Sequence, residues 1–240
     1  MPDDDARDDS GEAEDVDPAF YAKGGVSLSE EERVALGDLH SKRVLVLGAG
    51  NGEDALSLLN LGAEVTVVDE VEAMVEAKAL AQAAHQPVRF VEGSPSSIPA
   101  AVRSGGFDAV YSGFGGLDWV PDLDAWAEGI RASLETGGAL VVYDEHPFAF
   151  MVAPDDGRLG IGASYFGPEG DEDDEDADEP NWTLGDIVTA LGSHGFHIQS
   201  LLEFHESERF ATVLDEMEDV PEDYLAYVPG VFLLAATKLA

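Results

Sequence analysis

The chain has 240 residues, a formal net charge of −38 and no cysteine. Its length and its 45% of apolar residues suit one domain with a sizeable core, and the lack of cysteine excludes disulfides and thiolate chemistry. Lysine and arginine are scarce and form no cluster, so we expect no nucleic-acid partner. No apolar run is long enough to cross a membrane and the acidic N-terminus is unlike a secretory signal, so we expect no membrane association and a cytoplasmic location.

Two acidic runs carry part of the negative charge, because residues 1–17 and 169–179 hold nine acids each. Without them the chain still has 32 acids against 11 lysines and arginines. Such self-repulsion destabilises a compact state, and salt relieves it because the screening length falls to about 3 Å at 1 M. We interpret the composition as that of a halophilic protein adapted to concentrated intracellular salt. Two disordered acidic segments on an ordinary acidic protein are the alternative.

The N-terminal region is predicted to contain a tail and one short helix. Residues 1–17 are acidic enough to predict a disordered tail in front of a domain that spans 18–240. Residues 18–28 are apolar enough to dock on that domain. Ser29 and Glu32 have the spacing of a capping box, which predicts a helix that ends near Leu39.

A glycine-rich turn follows the first predicted strand. Residues 44–47 are all apolar, three glycines occur between 48 and 52, and a helical apolar spacing begins at Ala55. A strand, a tight turn and a helix start bring backbone N–H groups against a polar or anionic ligand group. The next predicted strand, Glu64–Asp69, ends in a carboxylate that can accept hydrogen bonds from both ribose hydroxyls. Turn and terminal acid together predict a nucleoside-bearing cofactor.

Strand-like apolar runs alternate with helical spacings through the middle of the chain. This alternation predicts a parallel sheet covered by helices on both faces. The predicted helices are 71–84, 96–104 and 121–134, and the predicted strands are 88–92, 107–112 and 139–144, the last entered through a turn at 136–138.

The pattern changes after residue 144. Prolines, glycines and an acidic run concentrate in residues 145–182, which predicts an insertion that serves as a lid, with a disordered acidic run at 169–179. Thr183 and Asp186 then begin a helix that Gly195 ends. Strands at 197–204 and 230–238 have no helix between them, which favours antiparallel pairing.

The glycine spacing distinguishes two cofactor classes. A dinucleotide fingerprint has a third small residue where this chain has Glu53. The observed order, Gly48, Gly50 and Gly52, resembles the first motif of the class I S-adenosylmethionine-dependent methyltransferases, and residues 107–112 and 134–141 are similar to further elements of that family. Residues 145–148, 165–166 and 182–188 resemble its type-11 subgroup.

The resemblance implies an α/β, doubly wound, Rossmann-like sheet of seven strands in the order 3-2-1-4-5-7-6, with strand 7 antiparallel. It also implies S-adenosylmethionine as the cofactor. Gly48, Gly50 and Gly52 are expected near its aminocarboxypropyl arm and Asp69 at its ribose. Glu70 either shares the ribose contact or is a solvated acid at the start of a helix. Ser94 stands where the family usually has an acid at the adenine, and Ser112 ends a strand at the ligand-binding edge.

The part of the site that would bind the methyl acceptor is predicted from the residues that follow residue 144. His146 is the candidate general base because its pKa lies near working pH, and the alternative is a histidine that only orients the lid. Aromatic residues in the lid predict a small-molecule acceptor that is apolar or aromatic. The histidines lack ligand spacing, so no metal site is expected.

Two other functions remain open at this point. A protein that binds S-adenosylmethionine without transferring its methyl group, as a sensor or partner subunit, fits the lack of a strong catalytic constellation. A nicotinamide-dependent oxidoreductase shares the doubly wound sheet, although Glu53 and the terminal strand pair argue against it.

Overall fold

The computed structural model describes residues 16–104, 106–117, 119–155, 158–161, 164–166, 182–205 and 228–240. The predicted disordered run 169–179 and most of the predicted tail, residues 1–15, lie outside this part. The last two residues of that predicted tail belong to the folded part of the chain. Asp17 caps the first helix by accepting a hydrogen bond from the Ala19 N–H at 2.8 Å, and Val16 packs against a buried cluster.

The described part of the chain contains six α-helices and nine strands. The helices are α1 (Pro18–Ala22), α2 (Glu30–Leu36), α3 (Glu53–Asn60), α4 (Val75–Ala83), α5 (Leu123–Ser133) and α6 (Leu184–Ser193). The strands are β1 (Arg43–Leu47), β2 (Glu64–Asp69), β3 (Arg89–Glu92), β4 (Phe107–Ser112), β5 (Leu134–Glu145), β6 (Val152–Asp155), β7 (Arg158–Ile161), β8 (Phe196–Phe204) and β9 (Val231–Lys238).

The main sheet has seven strands in the order β3-β2-β1-β4-β5-β9-β8. Strands β3, β2, β1, β4 and β5 pair in parallel, whereas β9 is antiparallel to both β5 and β8. With β8 and β9 as the sixth and seventh strands of the sheet, this is the predicted order 3-2-1-4-5-7-6 with strand 7 antiparallel. The predicted fold class is confirmed.

Alternate residues of each central strand pack on opposite faces of this sheet, as the two-residue period of a strand requires. On one face Leu45 and Val110 join a cluster that includes Trp126 of α5 and Leu191 of α6. On the other face Val44 packs in a cluster with residues of α2 and α3. Helices therefore cover both faces, and the carboxyl ends of the parallel strands stay available for a site.

The N-terminal segment is fixed to the domain, as its apolar sequence predicts. Tyr21 is buried, and the Asn60 side-chain amide donates hydrogen bonds to the carbonyl groups of Tyr21 and Gly25 at 2.9 and 2.8 Å. The capping box of Ser29 and Glu32 is present, but α2 ends at Leu36 because Gly37 takes a positive φ of 68°. This segment packs beside the start of α3.

Four local predictions differ from the structure. Residues 96–104 form turns and no helix, because Pro95 and Pro99 lack N–H donors and the serines between them favour turns. α4 begins at Val75, after a turn over 71–74. β5 begins at Leu134, so the predicted turn at 136–138 lies inside the strand as an irregularity in its register with β4. The predicted insertion contains an antiparallel hairpin, β6 and β7.

Candidate functional site

A cavity of about 530 Å³ lies at the carboxyl ends of β1, β2 and β4. This is the edge where open parallel sheets bind their ligands, and the volume is in the range of small-molecule sites. The residues that line it come from the glycine turn, the end of β2, the turn after β3 and the loop after β4: Leu47, Gly48, Ala49, Gly50, Asn51, Asp54, Asp69, Glu70, Ala73, Ser94, Pro95, Ser96, Gly113, Phe114, Gly115, Gly116 and Trp119.

The turn between β1 and α3 presents bare backbone to this cavity. Gly48 and Gly50 have φ values of +88° and +47°, and a Cβ atom at either would meet nothing within 4 Å. Open space beside a glycine backbone lets a ligand approach the peptide groups closely. The turn is therefore shaped for contact with a ligand.

Asp69 joins the end of β2 to this turn. Its carboxylate accepts hydrogen bonds from the Ala49 N–H at 2.7 Å and from the Glu70 N–H at 2.8 Å. The side chain is only 9% exposed, yet it lines the cavity. An ionised carboxylate offers about four acceptor sites, so Asp69 can hold the turn and still accept a hydrogen bond from a ligand hydroxyl.

Glu53, the first residue of α3, connects the turn to the N-terminal segment. Its carboxylate accepts hydrogen bonds from the Tyr21 hydroxyl at 2.5 Å and from the Asn51 side-chain amide at 2.6 Å. Burial, with the carboxylate of Glu53 next in importance, raises the pKa of Tyr21, so its hydroxyl stays protonated and donates. The Glu53 N–H in turn donates to the Asn51 amide oxygen at 3.1 Å. These contacts fix the orientation of Asn51 at the cavity wall.

The structure brings five of the predicted cofactor residues together and places two elsewhere. Gly48, Gly50, Asp69, Glu70 and Ser94 line the cavity.

Gly52 and Ser112 are outside the lining. A Cβ atom at Gly52 would lie 2.8 Å from the Cα atom of Ala77, so this glycine allows α3 to pack against α4. Ser112 is 1% exposed, and its hydroxyl lies under the loop that follows β4. Both residues lie behind the walls of the cavity, and direct contact between either of them and the cofactor stays a prediction.

Asp144 is a residue whose role the sequence analysis missed. It is the penultimate residue of β5 and is 1% exposed, and its two carboxylate oxygens accept hydrogen bonds from the N–H groups of Gly115, at 2.5 Å, and Leu117, at 2.8 Å. These bonds hold the loop that carries Phe114 and Trp119 at the cavity. A signal was present in the sequence, because the acid at the end of a buried strand and a glycine-rich loop repeat the pattern of Asp69 and its turn.

His146 does not occupy the position predicted for a general base. The residue is 4% exposed and is not part of the cavity lining. Its Nδ1 accepts from the Phe148 N–H at 3.0 Å, which leaves Nε2 as the donor to the Glu203 carboxylate at 2.9 Å. Burial lowers the pKa of His146, and the bond to Glu203 opposes that shift. Both ring nitrogens are engaged in holding the chain after β5 against β8, which is a structural role.

The described part of the predicted lid contacts the loop after β4. The Trp182 indole N–H donates to the Val120 carbonyl at 2.6 Å, and the Tyr165 hydroxyl accepts from the Leu184 N–H at 3.3 Å. Phe148 and Tyr165 are half-buried and do not line the cavity. Closure of the lid over an acceptor stays a prediction.

The described residues contain neither a metal-binding cluster nor a membrane-spanning helix. No group of three or more histidines, aspartates or glutamates is arranged to hold a metal ion among the residues that the structure places. Within the same residues, none of the helices combines the length and the apolar character needed to span a membrane.

Comparison with known proteins agrees with this geometry. Residues 44–138 match the family model described as "Methyltransferase domain", so this part of the chain is similar to such domains. No curated protein matches the sequence.

Solved structures match most of the chain. The S-adenosylmethionine-dependent methyltransferase from Mesorhizobium loti has a TM-score of 0.65 and 21% identity, covering 87% of this chain and 96% of its own. Geranyl diphosphate C-methyltransferase from Streptomyces coelicolor A3(2), solved with Mg²⁺, geranyl diphosphate and S-adenosylhomocysteine, has a TM-score of 0.62 and 12% identity, covering 88% of this chain and 76% of its own.

The [4+2]-cyclase SpnF has a TM-score of 0.58 and 17% identity, covering 93% of this chain and 92% of its own. At these identities the likeness shows the fold, which is that of the S-adenosylmethionine-dependent methyltransferases, and leaves the reaction to be argued from the site.

Proposed function

We propose that this protein binds S-adenosylmethionine in the cavity at the end of β1, β2 and β4 and transfers its methyl group to a small-molecule acceptor. The observation that carries the proposal is the open glycine turn held by Asp69, which combines bare backbone with a carboxylate that lines the cavity. The family match over residues 44–138 covers this turn, Asp69 and the loop after β4. The narrower type-11 resemblance of the lid region is part of the proposal.

Each part of the cavity suits one part of the cofactor. Gly48 and Gly50 offer peptide groups beside open space to the aminocarboxypropyl arm. Asp69 accepts hydrogen bonds from the ribose hydroxyls with the acceptor sites that the backbone leaves, and Glu70 lies beside it. Ser94 is in the wall where the adenine is expected, with its hydroxyl hydrogen-bonded to that of Ser96 at 2.8 Å.

Methyl transfer requires little of the protein beyond the positioning of the cofactor and the acceptor. The bound cofactor supplies an activated methyl group on a sulfonium. The residues of this chain orient the acceptor behind that methyl group and exclude water, which can account for most of the rate gain in such a displacement. The loop that Asp144 holds carries Phe114 and Trp119, which line the same cavity as the glycine turn and offer an aromatic wall to the acceptor.

Calorimetric titration in 2 M KCl tests the cofactor assignment. S-adenosylhomocysteine should bind with one site per chain, and NADH should not, because Glu53 occupies the position at which a dinucleotide fold needs a small residue. Binding of NADH alone would favour the oxidoreductase. Binding of S-adenosylhomocysteine without transfer to any acceptor would favour the sensor.

We also propose that the protein is adapted to concentrated salt and works in the cytoplasm of a halophile. The support is the composition, since acids remain in large excess when both acidic runs are left out. A variant that lacks residues 1–15 and 169–179 should still melt at a lower temperature in 0.1 M than in 2 M KCl, because repulsion within the body is then unscreened. Equal melting temperatures would contradict the proposal. Sulfate is unsuitable as the salt because it strengthens apolar burial by itself.

A further inference from the structure

We infer that Asn51 binds the carboxylate of the cofactor's aminocarboxypropyl arm, and that Tyr21 is a positioning residue that holds the Asn51 amide in place through Glu53. This inference rests on the proposed function and deepens it, because it assigns one side chain to one group of the bound cofactor. It depends on three features of the described residues: the hydrogen bonds of the Asn51 amide, the buried tyrosine behind them, and the polar face of α3 that holds the N-terminal segment.

The side chain of Asn51 is held at both of its polar atoms by the first residue of α3. Its Nδ2 atom donates to the Glu53 carboxylate at 2.6 Å, and its Oδ1 atom accepts from the Glu53 N–H at 3.1 Å. The two bonds fix which way the amide points, because the carboxylate requires an N–H and the backbone N–H requires an oxygen. Asn51 is exposed and lines the cavity beside Gly50. An amide nitrogen has two N–H groups and the bond to Glu53 uses one, so the second can donate to a ligand.

The carboxylate is the group of the aminocarboxypropyl arm that suits this donor. The arm ends in an ammonium and a carboxylate, and of these two only the carboxylate accepts hydrogen bonds. Asn51 directly precedes Gly52, the N-cap of α3, and the positive end of a helix dipole favours a negative charge there. Gly48 and Gly50 of the same turn place bare backbone beside open space. A carboxylate at this turn would therefore gain a charge-assisted hydrogen bond from the Asn51 amide.

Tyr21 supports Glu53 from behind the amide. The tyrosine is 2% exposed and its hydroxyl donates to Oε1 of Glu53 at 2.5 Å, while Oε2 of Glu53 is the oxygen that accepts from Asn51. Each oxygen of this carboxylate thus has its own partner, and rotation of the carboxylate would break both bonds. In the described part of the chain, the cavity lining includes Asn51 but neither Glu53 nor Tyr21. The effect of Tyr21 on the cofactor is therefore expected to pass through Asn51.

One polar face of α3 fixes the segment that carries the tyrosine. Glu53, Ser57 and Asn60 have the spacing of a single helix face, and each contacts that segment. The Ser57 hydroxyl accepts from the Ser27 N–H at 2.9 Å, and the Asn60 amide donates to two carbonyl groups of the segment at 2.9 and 2.8 Å. These bonds hold the segment independently of the tyrosine hydroxyl. Removal of that hydroxyl alone should leave the segment docked.

Two ligands that differ by one carboxylate test the assignment of Asn51. S-adenosylhomocysteine and its decarboxylated form are titrated by calorimetry in 2 M KCl, and the ratio of their dissociation constants is measured. General damage to the site weakens both ligands and leaves the ratio unchanged, because they share the adenosine and the sulfur. Asn51→Ala should lower the preference for S-adenosylhomocysteine roughly tenfold or more. An unchanged ratio would overturn the inference, whereas failure of the wild type to bind S-adenosylhomocysteine would overturn the proposed function.

Tyr21→Phe tests the positioning role, because it keeps the buried ring and removes only the hydroxyl. We expect the same ratio to fall about two- to tenfold. The melting temperature should change little, since the partly exposed Glu53 carboxylate can bond to water instead. Added to Asn51→Ala, Tyr21→Phe should have no further effect on the ratio. An unchanged ratio in Tyr21→Phe, or an equal fall in both backgrounds, would mean that Tyr21 does not act through Asn51.

Asn60→Ala is the matched control. It removes two hydrogen bonds between α3 and the same segment, at the last residue of the helix. We expect it to lower the melting temperature more than Tyr21→Phe does and to leave the ratio unchanged. A ratio that falls as far in Asn60→Ala as in Tyr21→Phe would make the segment a general support for α3 and would overturn the positioning role of Tyr21.

Discussion

Two carboxylates hold the two loops of this site, and they do so in the same way. Asp69 ends β2 and accepts hydrogen bonds from the backbone of the turn after β1. Asp144 is the penultimate residue of β5 and accepts hydrogen bonds from the backbone of the loop after β4. In each case the acid on one strand fixes a glycine-containing loop that leaves a neighbouring parallel strand.

Asp69 and Asp144 differ in how far they are exposed to the cavity. Asp69 lines the cavity and accepts two backbone N–H groups, whereas Asp144 is 1% exposed, is outside the lining and accepts three, the third from Glu145 at 2.9 Å. An acid near the end of a buried strand therefore serves mainly to hold a neighbouring loop in place. It becomes a ligand contact only where part of the carboxylate faces the cavity.

Loss of Asp144 should have the largest effect on stability. Asp144→Ala leaves the N–H groups of Gly115, Leu117 and Glu145 without their acceptor, and each unsatisfied buried donor costs about 1–3 kcal/mol. We expect the free energy of unfolding to fall by about 3–5 kcal/mol. Urea denaturation in 2 M KCl measures this change.

A matched control separates this loss from the removal of one negative charge. Glu76→Gln removes an exposed acid and should leave stability unchanged or slightly higher, since self-repulsion falls. Asp144→Asn retains one acceptor oxygen and should lie between Asp144→Ala and the wild type. A loss below about 1 kcal/mol in Asp144→Ala would mean that the loop does not depend on this anchor.

Gly52 and Gly50 extend the comparison to the glycines of the turn. A Cβ atom at Gly52 would lie 2.8 Å from the Ala77 Cα atom, and its φ is +99°. We expect Gly52→Ala to destabilise the protein by about 2–4 kcal/mol from overpacking and backbone strain. Gly50→Ala meets open space and should cost about 1–2 kcal/mol from its positive φ alone.

Ligand affinity should show the opposite order for these two glycines. Gly50 lines the cavity and a Cβ atom there would stand in open space, so Gly50→Ala should lose affinity for S-adenosylhomocysteine, whereas Gly52→Ala should retain it wherever it is folded. Thermal melting and calorimetry of the two variants, side by side, measure both quantities. A retained affinity in Gly50→Ala would remove that glycine from the site.

The sequence predicts the sheet and one wall of the cavity, but not the other wall. The alternating apolar runs predict a parallel sheet, and the family resemblance implies its strand order. The predicted bounds of Glu64–Asp69 and Phe107–Ser112 agree with the structure. Asp69 and the glycine turn are adjacent along the chain and have a known spacing. The bonds of Asp144 to Gly115 and Leu117 span almost thirty residues and depend on the register of β4 with β5, which no local pattern gives.

Dependence on residues that are distant in sequence also explains why the sequence did not reveal the contacts of His146. A histidine that follows a strand end is a reasonable candidate for a base when only the local sequence is known. Its actual partner, Glu203, is 57 residues away on β8. The sequence predicts that β8 and β9 pair, but it does not give the residue that faces His146 across β9. The glycine spacing likewise did not show that Gly52 faces Ala77 rather than the cavity.

Removal of the Asp69 charge tests whether Asp69, unlike Asp144, contacts the ligand in addition to holding its loop. Asp69→Asn loses a charged acceptor for the ribose hydroxyls, and hydrogen bonds to a charged group contribute about 1.5–3 kcal/mol. We expect the affinity for S-adenosylhomocysteine to fall roughly ten- to a hundredfold. Calorimetry in 2 M KCl measures it, and Glu72→Gln, an exposed acid outside the cavity, serves as the control. Unchanged affinity would make Asp69 a loop anchor like Asp144.

The smallest effect should come from His146, and it concerns pH. Burial lowers the pKa of His146 in the folded protein below its ordinary value of 6.5, while Glu203 opposes the shift and Asp144 and Glu145 precede it on β5. As pH falls below 6.5, the unfolded chain therefore takes up a proton that the folded protein resists. Stability from this group is present above that pH and is lost as the pH falls toward the folded pKa. Protonation also removes the acceptor that Nδ1 offers to the Phe148 N–H.

Measurement of unfolding at pH 7.5 and pH 5.5 isolates this contribution. The wild type should lose more stability between these pH values than His146→Gln, because the variant has no imidazole to titrate at this position. His197→Gln, altered at an exposed position of β8, should lose as much as the wild type. If His146→Gln and the wild type respond equally to pH, the buried imidazole does not resist protonation. The chain after β5 would then be held by something other than the neutral ring between Phe148 and Glu203, and His146 would regain its candidacy as a group that exchanges protons.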